Sequence, residues 1–279
     1  MGKRTAAIAA VMALILMVAA PAATVRGATT ELTSAYCTSP LNGTWGGNNY
    51  TCTIPAGNSG QIPASDLLRL IKQNVDVQQR ILIQGTLTVH GTLELQGGRV
   101  GIDGGGTLVN NGVIMHGTSD VDVFEDFSNL GTLTNNGQLT VDKNCTLVNY
   151  SAFTNAGSLT VEGRLENFPE SGYSCSFTNT DAGTVNLLNS SAASEQGTFL
   201  ASQLVSNTNS GTINVNHAHA RMDVHTLTNH GYILNKGTFR AGQLTNSSTG
   251  TLYNEYNNNL DYLATWTCDG ASAPTLINE

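Results

Sequence analysis

The sequence predicts an all-β chain, a parallel β-helix (solenoid) of about seven or more coils with a short N-terminal capping helix. Three observations predict it. A motif of an apolar residue, any residue and Asn, followed closely by Gly and an apolar residue, recurs seven times. Apolar residues alternate with Thr, Ser or Asn around each motif, the period of a strand with one buried face. Charged residues make up only 11% of the 279 positions, against about 25% in an average globular chain, while there are 30 Gly and 29 Asn.

In chain order, the first 28 residues read as a secretory signal peptide: basic Lys3 and Arg4, an apolar run from Ala6 to Ala20, then small residues up to Gly27 and Ala28. Fifteen apolar residues fall short of the roughly 20 that span a bilayer. Nothing later is apolar enough to span, so no transmembrane segment is expected after cleavage, and the mature chain is secreted or displayed at the cell surface. Residues 29–80 form an N-terminal cap. Within it, Cys37 and Cys52 flank a turn-rich stretch and are expected to close a disulfide, as suits an oxidising compartment. Ser65, after Pro63, caps an amphipathic helical turn carrying Leu67, Leu68, Ile71 and Val75, which would lie over the open edge of the first coil.

Residues 81–256 are the solenoid. Its repeating glycines, Gly112, Gly137, Gly157, Gly183, Gly211, Gly231 and Gly250, step by about 20 residues with insertions. Alternation turns Leu133, Leu139 and Val141 inward and Thr134 and Thr140 outward. Gly at the bend is expected to supply torsions other residues avoid. Asn110, Asn135, Asn155, Asn179, Asn207, Asn229 and Asn246 are expected to stack as a ladder of amide hydrogen bonds along the axis. Residues 257–279 form a C-terminal cap, where Asn257, Asn258 and Asn259 break the pattern and Tyr262, Leu263 and Trp266 could plug the last coil.

These Leu-x-Asn-x-Gly units, the expected Asn stack and the leading helix resemble a right-handed parallel β-helix of the pectin-lyase-like kind, an architecture shared by secreted surface proteins and adhesins. The resemblance covers residues 80–256. Among enzymes of that architecture it would imply polysaccharide cleavage, but no catalytic motif of such a family matches residue by residue.

Net charge is −8, with 12 Lys and Arg against 20 Asp and Glu, and no basic cluster follows the leader. A nucleic-acid partner is excluded on that ground. Two clusters could hold a metal. Asp120, Asp122, Glu125 and Asp126 could bind calcium, with Lys143 and Arg164 as base or charge stabiliser of a lyase; the same carboxylates also suit a solvated insertion. His217, His219 and His225, near Asp223 and His230, could converge on zinc or copper, or simply occupy outward polar positions. No cofactor is otherwise implied. Cys145 and Cys175 are a second candidate disulfide, leaving Cys268 over. Of the sequons at Asn42, Asn49, Asn144, Asn149, Asn189 and Asn246, Asn42 and Asn189 sit in loop-like sequence and are the better glycosylation candidates, while Asn149 and Asn246 should point inward.

Three function classes remain. The first is a noncatalytic secreted or surface protein acting in structure, adhesion or glycan and surface binding, self-associating as a homo-oligomer or filament if coil ends stack. The second is a polysaccharide lyase or hydrolase. The third is a binder of ice or another lattice, suggested by Thr86/Thr88, Thr132/Thr134 and Thr226/Thr228 and requiring those pairs to align on one face.

Overall fold

A computed structural model describes residues 29–46, 50–74, 77–117, 127–170, 174–189, 197–201, 205–255, 260–269 and 275–278. The described residues form a parallel β-helix of ten successive coils, each contributing a strand to three faces. Face A runs through Thr51–Ile54, Arg80–Ile83, Arg99–Ile102, Phe127–Asn129, Thr146–Asn149, Arg164–Asn167 and Thr198–Ala201. Face B runs through Ser59–Ile62, Thr86–Val89, Thr107–Asn110, Thr132–Asn135, Ala152–Asn155, Ser176–Asn179 and Ser206–Asn209. In the last three coils single strands, Arg221–Asn229, Thr238–Ser247 and Leu260–Asp269, run round the corner and serve both faces. Face C begins at Thr29–Glu31 and Leu67–Asn74, then continues through Thr92–Gln96, Val113–Gly117, Gln138–Val141, Ser158–Val161, Thr184–Leu187, Thr212–Val215, Tyr232–Asn235, Thr251–Asn254 and Thr275–Asn278.

Alternation by two fills the shaft. Leu133, Phe153 and Phe177 stack on face B, Phe199 packs its edge on Phe177 at 5.1 Å between ring centroids, and Leu139, Leu159 and Val185 close face C, all buried. At the corner between faces B and C, Asn110 donates from Nδ2 to Oδ1 of Asn135 at 2.7 Å. The same bond continues through Asn155, Asn179, Asn209, Asn229 and Asn246 at 2.7–2.8 Å. Every donor lies on the preceding coil, so the amide dipoles align along the axis, an arrangement that strengthens each bond in the chain. Each Nδ2 also reaches a backbone carbonyl of the following face, as Asn135 does to Ser158 at 3.1 Å. Shorter ladders link Asn129 to Asn149 on face A and Asn235 to Asn254 on face C, both at 2.7 Å.

Asn207 is not a member of the main ladder. Register pairs it with Phe177, which puts it in the shaft, while Asn209 pairs with Asn179 and takes the expected place. Asn207 is buried; its Nδ2 donates to the Thr226 carbonyl at 3.0 Å, and its Oδ1 has no partner among the described residues.

The repeating corner glycines have a different cause from the one expected. Left-handed φ occurs at Gly57, Gly97, Gly105 and Gly197, not at the repeat positions. Gly137 and Gly157 are required by close approach: a Cβ on Gly157 would stand 2.1 Å from the Gly137 carbonyl oxygen, and one on Gly137 the same distance from that of Gly112. The glycine column lets successive corners nest.

The N-terminal region differs from expectation in one element. Leu67–Asn74, expected as the capping helix, is a strand of face C, because Leu68 and Leu70 align with Leu93 and Leu95 of the next coil and are buried with them. The single helix described is Ser34–Thr38, N-capped by Thr33 and bearing Cys37. Coils thus begin at Thr51 rather than at residue 81. Thr29–Glu31 covers the face C edge, Thr44–Gly46 pairs antiparallel with the first face A strand, and Gln61 donates its backbone N–H to Pro40 on face B. At the other end, Leu260–Asp269 and Thr275–Asn278 add a further coil rather than a distinct cap, with one register shift opposite Phe239 and Ala241, and residues 257–259 lie outside the described residues. Among the described residues no helix is long and apolar enough to cross a membrane.

Two substitutions to the same residue should act in opposite directions. Asn155→Leu strips the Asn135 amide and the Asn179 oxygen of their partners and should cost about 2–3 kcal/mol. Asn207→Leu removes an unmatched buried oxygen from an apolar column and should stabilise by about 1 kcal/mol. Denaturant midpoints of the two variants, compared with the parent, check both signs. Gly157→Ala should lower the midpoint as well, because the obstructing atom belongs to backbone.

Candidate surface-binding face

Although the sequence spacing between coils varies, the described strands of face B stay in continuous register. Two outward columns result. The first holds Ser59, Thr86, Thr107, Thr132, Ala152, Ser176, Ser206, Thr226 and Gln243. The second holds Gln61, Thr88, Val109, Thr134, Thr154, Thr178, Thr208, Thr228 and Thr245. Backbone register carries them on to Thr265 and Thr267. From Thr134 onward every position of the second column is Thr. Successive strands lie about 4.8 Å apart and outward residues about 6.6 Å apart within a strand, so the face spans about 43 Å along the axis.

No position in either column is charged, although the chain carries 12 basic and 20 acidic residues. The other faces are different. Face A bears Arg80, Arg99, Arg164, Arg221 and Arg240, with Arg164 paired to Glu166 and Arg221 to Asp223. Face C bears the Arg69–Glu94 ion pair at 2.8 Å, an outward amide bond from Asn214 to Asn186 at 3.0 Å, and exposed Tyr232. On face B, the hydroxyls of Thr134, Thr154, Thr178, Thr208 and Thr228 bond no other protein group among the described residues, which leaves them to solvent or a partner. β-Branching fixes their side-chain torsion against the sheet, so hydroxyl and methyl recur in a fixed disposition.

The other candidates fare variously. Asp120, Asp122, Glu125 and Asp126 lie outside the described residues. His217 and His219 sit in an exposed turn after Thr212–Val215 rather than on a strand, and His225 lies at the corner within Arg221–Asn229. Among the described residues, no three His, Cys, Asp or Glu side chains gather as a metal site. Lys143 is exposed in a corner turn, and the Arg164 guanidinium is held by Glu166. Asn42 is exposed in a turn. Asn189 is not: it is buried, with Nδ2 donating to the His219 carbonyl at 3.1 Å, so it is no acceptor for a glycan in the folded chain. Asn149 and Asn246 point inward into ladders.

Cys37 and Cys52 form a disulfide that ties the helix to the first coil. Cys145 and Cys175 do not pair. Cys145 precedes a face A strand and Cys175 a face B strand, so they occupy different corners, each buried and, among the described residues, outside any disulfide. The Cys175 thiol donates to the Asn149 carbonyl at 3.1 Å, and burial pushes its pKa up to about 12.

Comparisons with protein-family models, with curated proteins and with solved structures find no match to the chain. The reading of face B therefore rests on its own chemistry. Register is the signal that sequence spacing hid: only three Thr pairs stand out along the chain, whereas stacking shows a continuous array.

The raised thiol pKa sets a pH dependence. Cys175 stays protonated in the fold while an unfolded thiol ionises near its usual value, so its contribution is complete below about pH 8.5 and is lost as pH rises towards the folded value. The melting temperature should fall between pH 8.5 and 11, and less steeply in Cys175→Ala.

Proposed function

We propose that the protein is an exported, noncatalytic β-helix that binds an extended, regular, uncharged surface through face B. The single observation that supports this most is a flank with no charged residue in either outward column and with Thr at every position of the second column from Thr134 onward, while the other two flanks carry charge. A rigid array loses little conformational freedom on binding, and many weak hydroxyl and methyl contacts then add over its length. Export is supported by the leader-like residues 1–28 and by the Cys37–Cys52 disulfide. The pectin-lyase-like resemblance enters as architecture, a right-handed coil of three sheets with an internal amide ladder.

Binding should be lost when the array is interrupted at its centre. Thr154→Arg should reduce retention on insoluble neutral surfaces such as ice, microcrystalline cellulose or chitin by about tenfold or more. Thr160→Arg, at the equivalent outward position of face C, should leave retention unchanged. Sedimentation assays with both variants check this. Calcium-dependent cleavage of a uronate polymer by the parent protein would overturn the noncatalytic reading.

A further inference from the structure

We infer that the surface bound by face B is ice, an inference that rests on the surface-binding role above and names its partner. Each partner class leaves a mark on the surface that reads it. Anionic lattices, membranes and polyelectrolytes are held by complementary charge, and the two columns of face B hold none. Protein partners are held by buried aromatic, Arg or large apolar anchors, and the columns hold no aromatic and one aliphatic side chain larger than Ala, Val109. Sugar rings are received on aromatic faces flanked by amide donors. The molecule has that chemistry on face C, at Tyr232 and the Asn186–Asn214 pair, and not along the Thr columns.

What remains on face B is a grid with repeats of about 4.8 Å and about 6.6 Å, in which the second column offers a hydroxyl and a methyl at every position from Thr134 onward and the first mixes Thr132 and Thr226 with Ala152, Ser176, Ser206 and Gln243. The hydroxyls can each donate and accept, as water does, and the methyls between them need voids rather than partners. A partner must therefore offer hydrogen-bonding atoms and small cavities at short, regular spacing in two dimensions, without charge. The face of an ice crystal offers both. The grid is also stiff: the inward side of its strands is filled by Leu133, Phe153, Phe177 and Leu227, with Asn207 the polar exception, and their ends are held by the Asn ladder. Thr recurs in the second column at Thr134, Thr154, Thr178, Thr208, Thr228 and Thr245, so the ice-binding area centres on the later coils rather than on Gln61 to Val109.

The test uses the whole exported chain. Thermal hysteresis and partition into a slowly growing ice hemisphere are measured for the parent, Thr178→Lys, Thr208→Lys and the face C control Thr160→Lys, with circular dichroism and melting temperature recorded for each. The parent should enter ice and depress its growth. Each face B variant should lose about tenfold of that activity while melting like the parent, and the control should keep it. A parent that is excluded from ice overturns the inference. If that parent still sediments with cellulose or chitin in a Thr154-dependent way, the surface-binding function stands and only the partner is wrong; if it binds none of these, both fall. Equal ice activity in all four proteins would place the contact elsewhere and overturn the inference too.

Discussion

The amide hydrogen bond passed from each coil to the next is the constraint on which the rest of the molecule depends. A corner Asn satisfies its own bend through Oδ1, as Asn110 does by accepting from the Gly112 backbone N–H at 3.2 Å, while its Nδ2 reaches up to the next Asn. The bond works only if the last residue of each face B strand lies directly over its counterpart. A slip of one residue would turn the Asn outward and the Thr inward, so the ladder and the apolar shaft enforce the same register. Side-chain ladders are among the features that can hold a many-stranded sheet against its usual twist, and the Asn column is such a ladder. The order of the outer Thr array is thus inherited from a column of buried carboxamides.

Charge placement follows from the same stacking. In-register parallel strands set identical positions about 4.8 Å apart, so like charges in one column repel along the whole axis. Face A stacks Arg80 on Arg99 near its start, and in the later coils relieves the repulsion by pairing within a strand, Arg164 with Glu166 and Arg221 with Asp223, and by setting neutral Thr146 and Thr198 either side of Arg164. Face B avoids the problem by using neutral residues throughout. That choice is not forced by stability, since face A manages charge on the same scaffold. The difference between the faces belongs to what they meet.

The coil architecture was legible because its signal is local and repeated: Leu133-Thr-Asn135 and Phe153-Thr-Asn155 carry alternation, corner and ladder in three residues. What could not be read depended on contacts between coils. Asn207 and Asn209 have the same parity, and both spacings to the next Gly, four residues and two, occur elsewhere, as in Asn179 to Gly183 and Asn229 to Gly231. Only the position of Asn179 beneath decides between them. Likewise Leu67, Leu68 and Ile71 fit a helical face as a lone segment, and become a strand because Leu93 and Leu95 wait above. The corner glycines were found for the wrong reason, since a clash with the carbonyl of another coil leaves no trace in the torsions of an isolated chain.

Irregularities in such a molecule stay local. Each coil touches only its neighbours, so Asn207 in the shaft and Cys175 in place of a ladder partner for Asn149 are tolerated without disturbing coils two steps away. The outer face obeys the opposite rule. Its contacts are individually weak and gain their effect by being simultaneous, so one intrusive side chain lifts its neighbours away as well and divides one long array into two short ones. A defect near the end shortens the array slightly, whereas one at Thr178 or Thr208 halves it. An interior that forgives errors beneath a surface that does not is the arrangement expected where coils are repeated for the sake of the area they present.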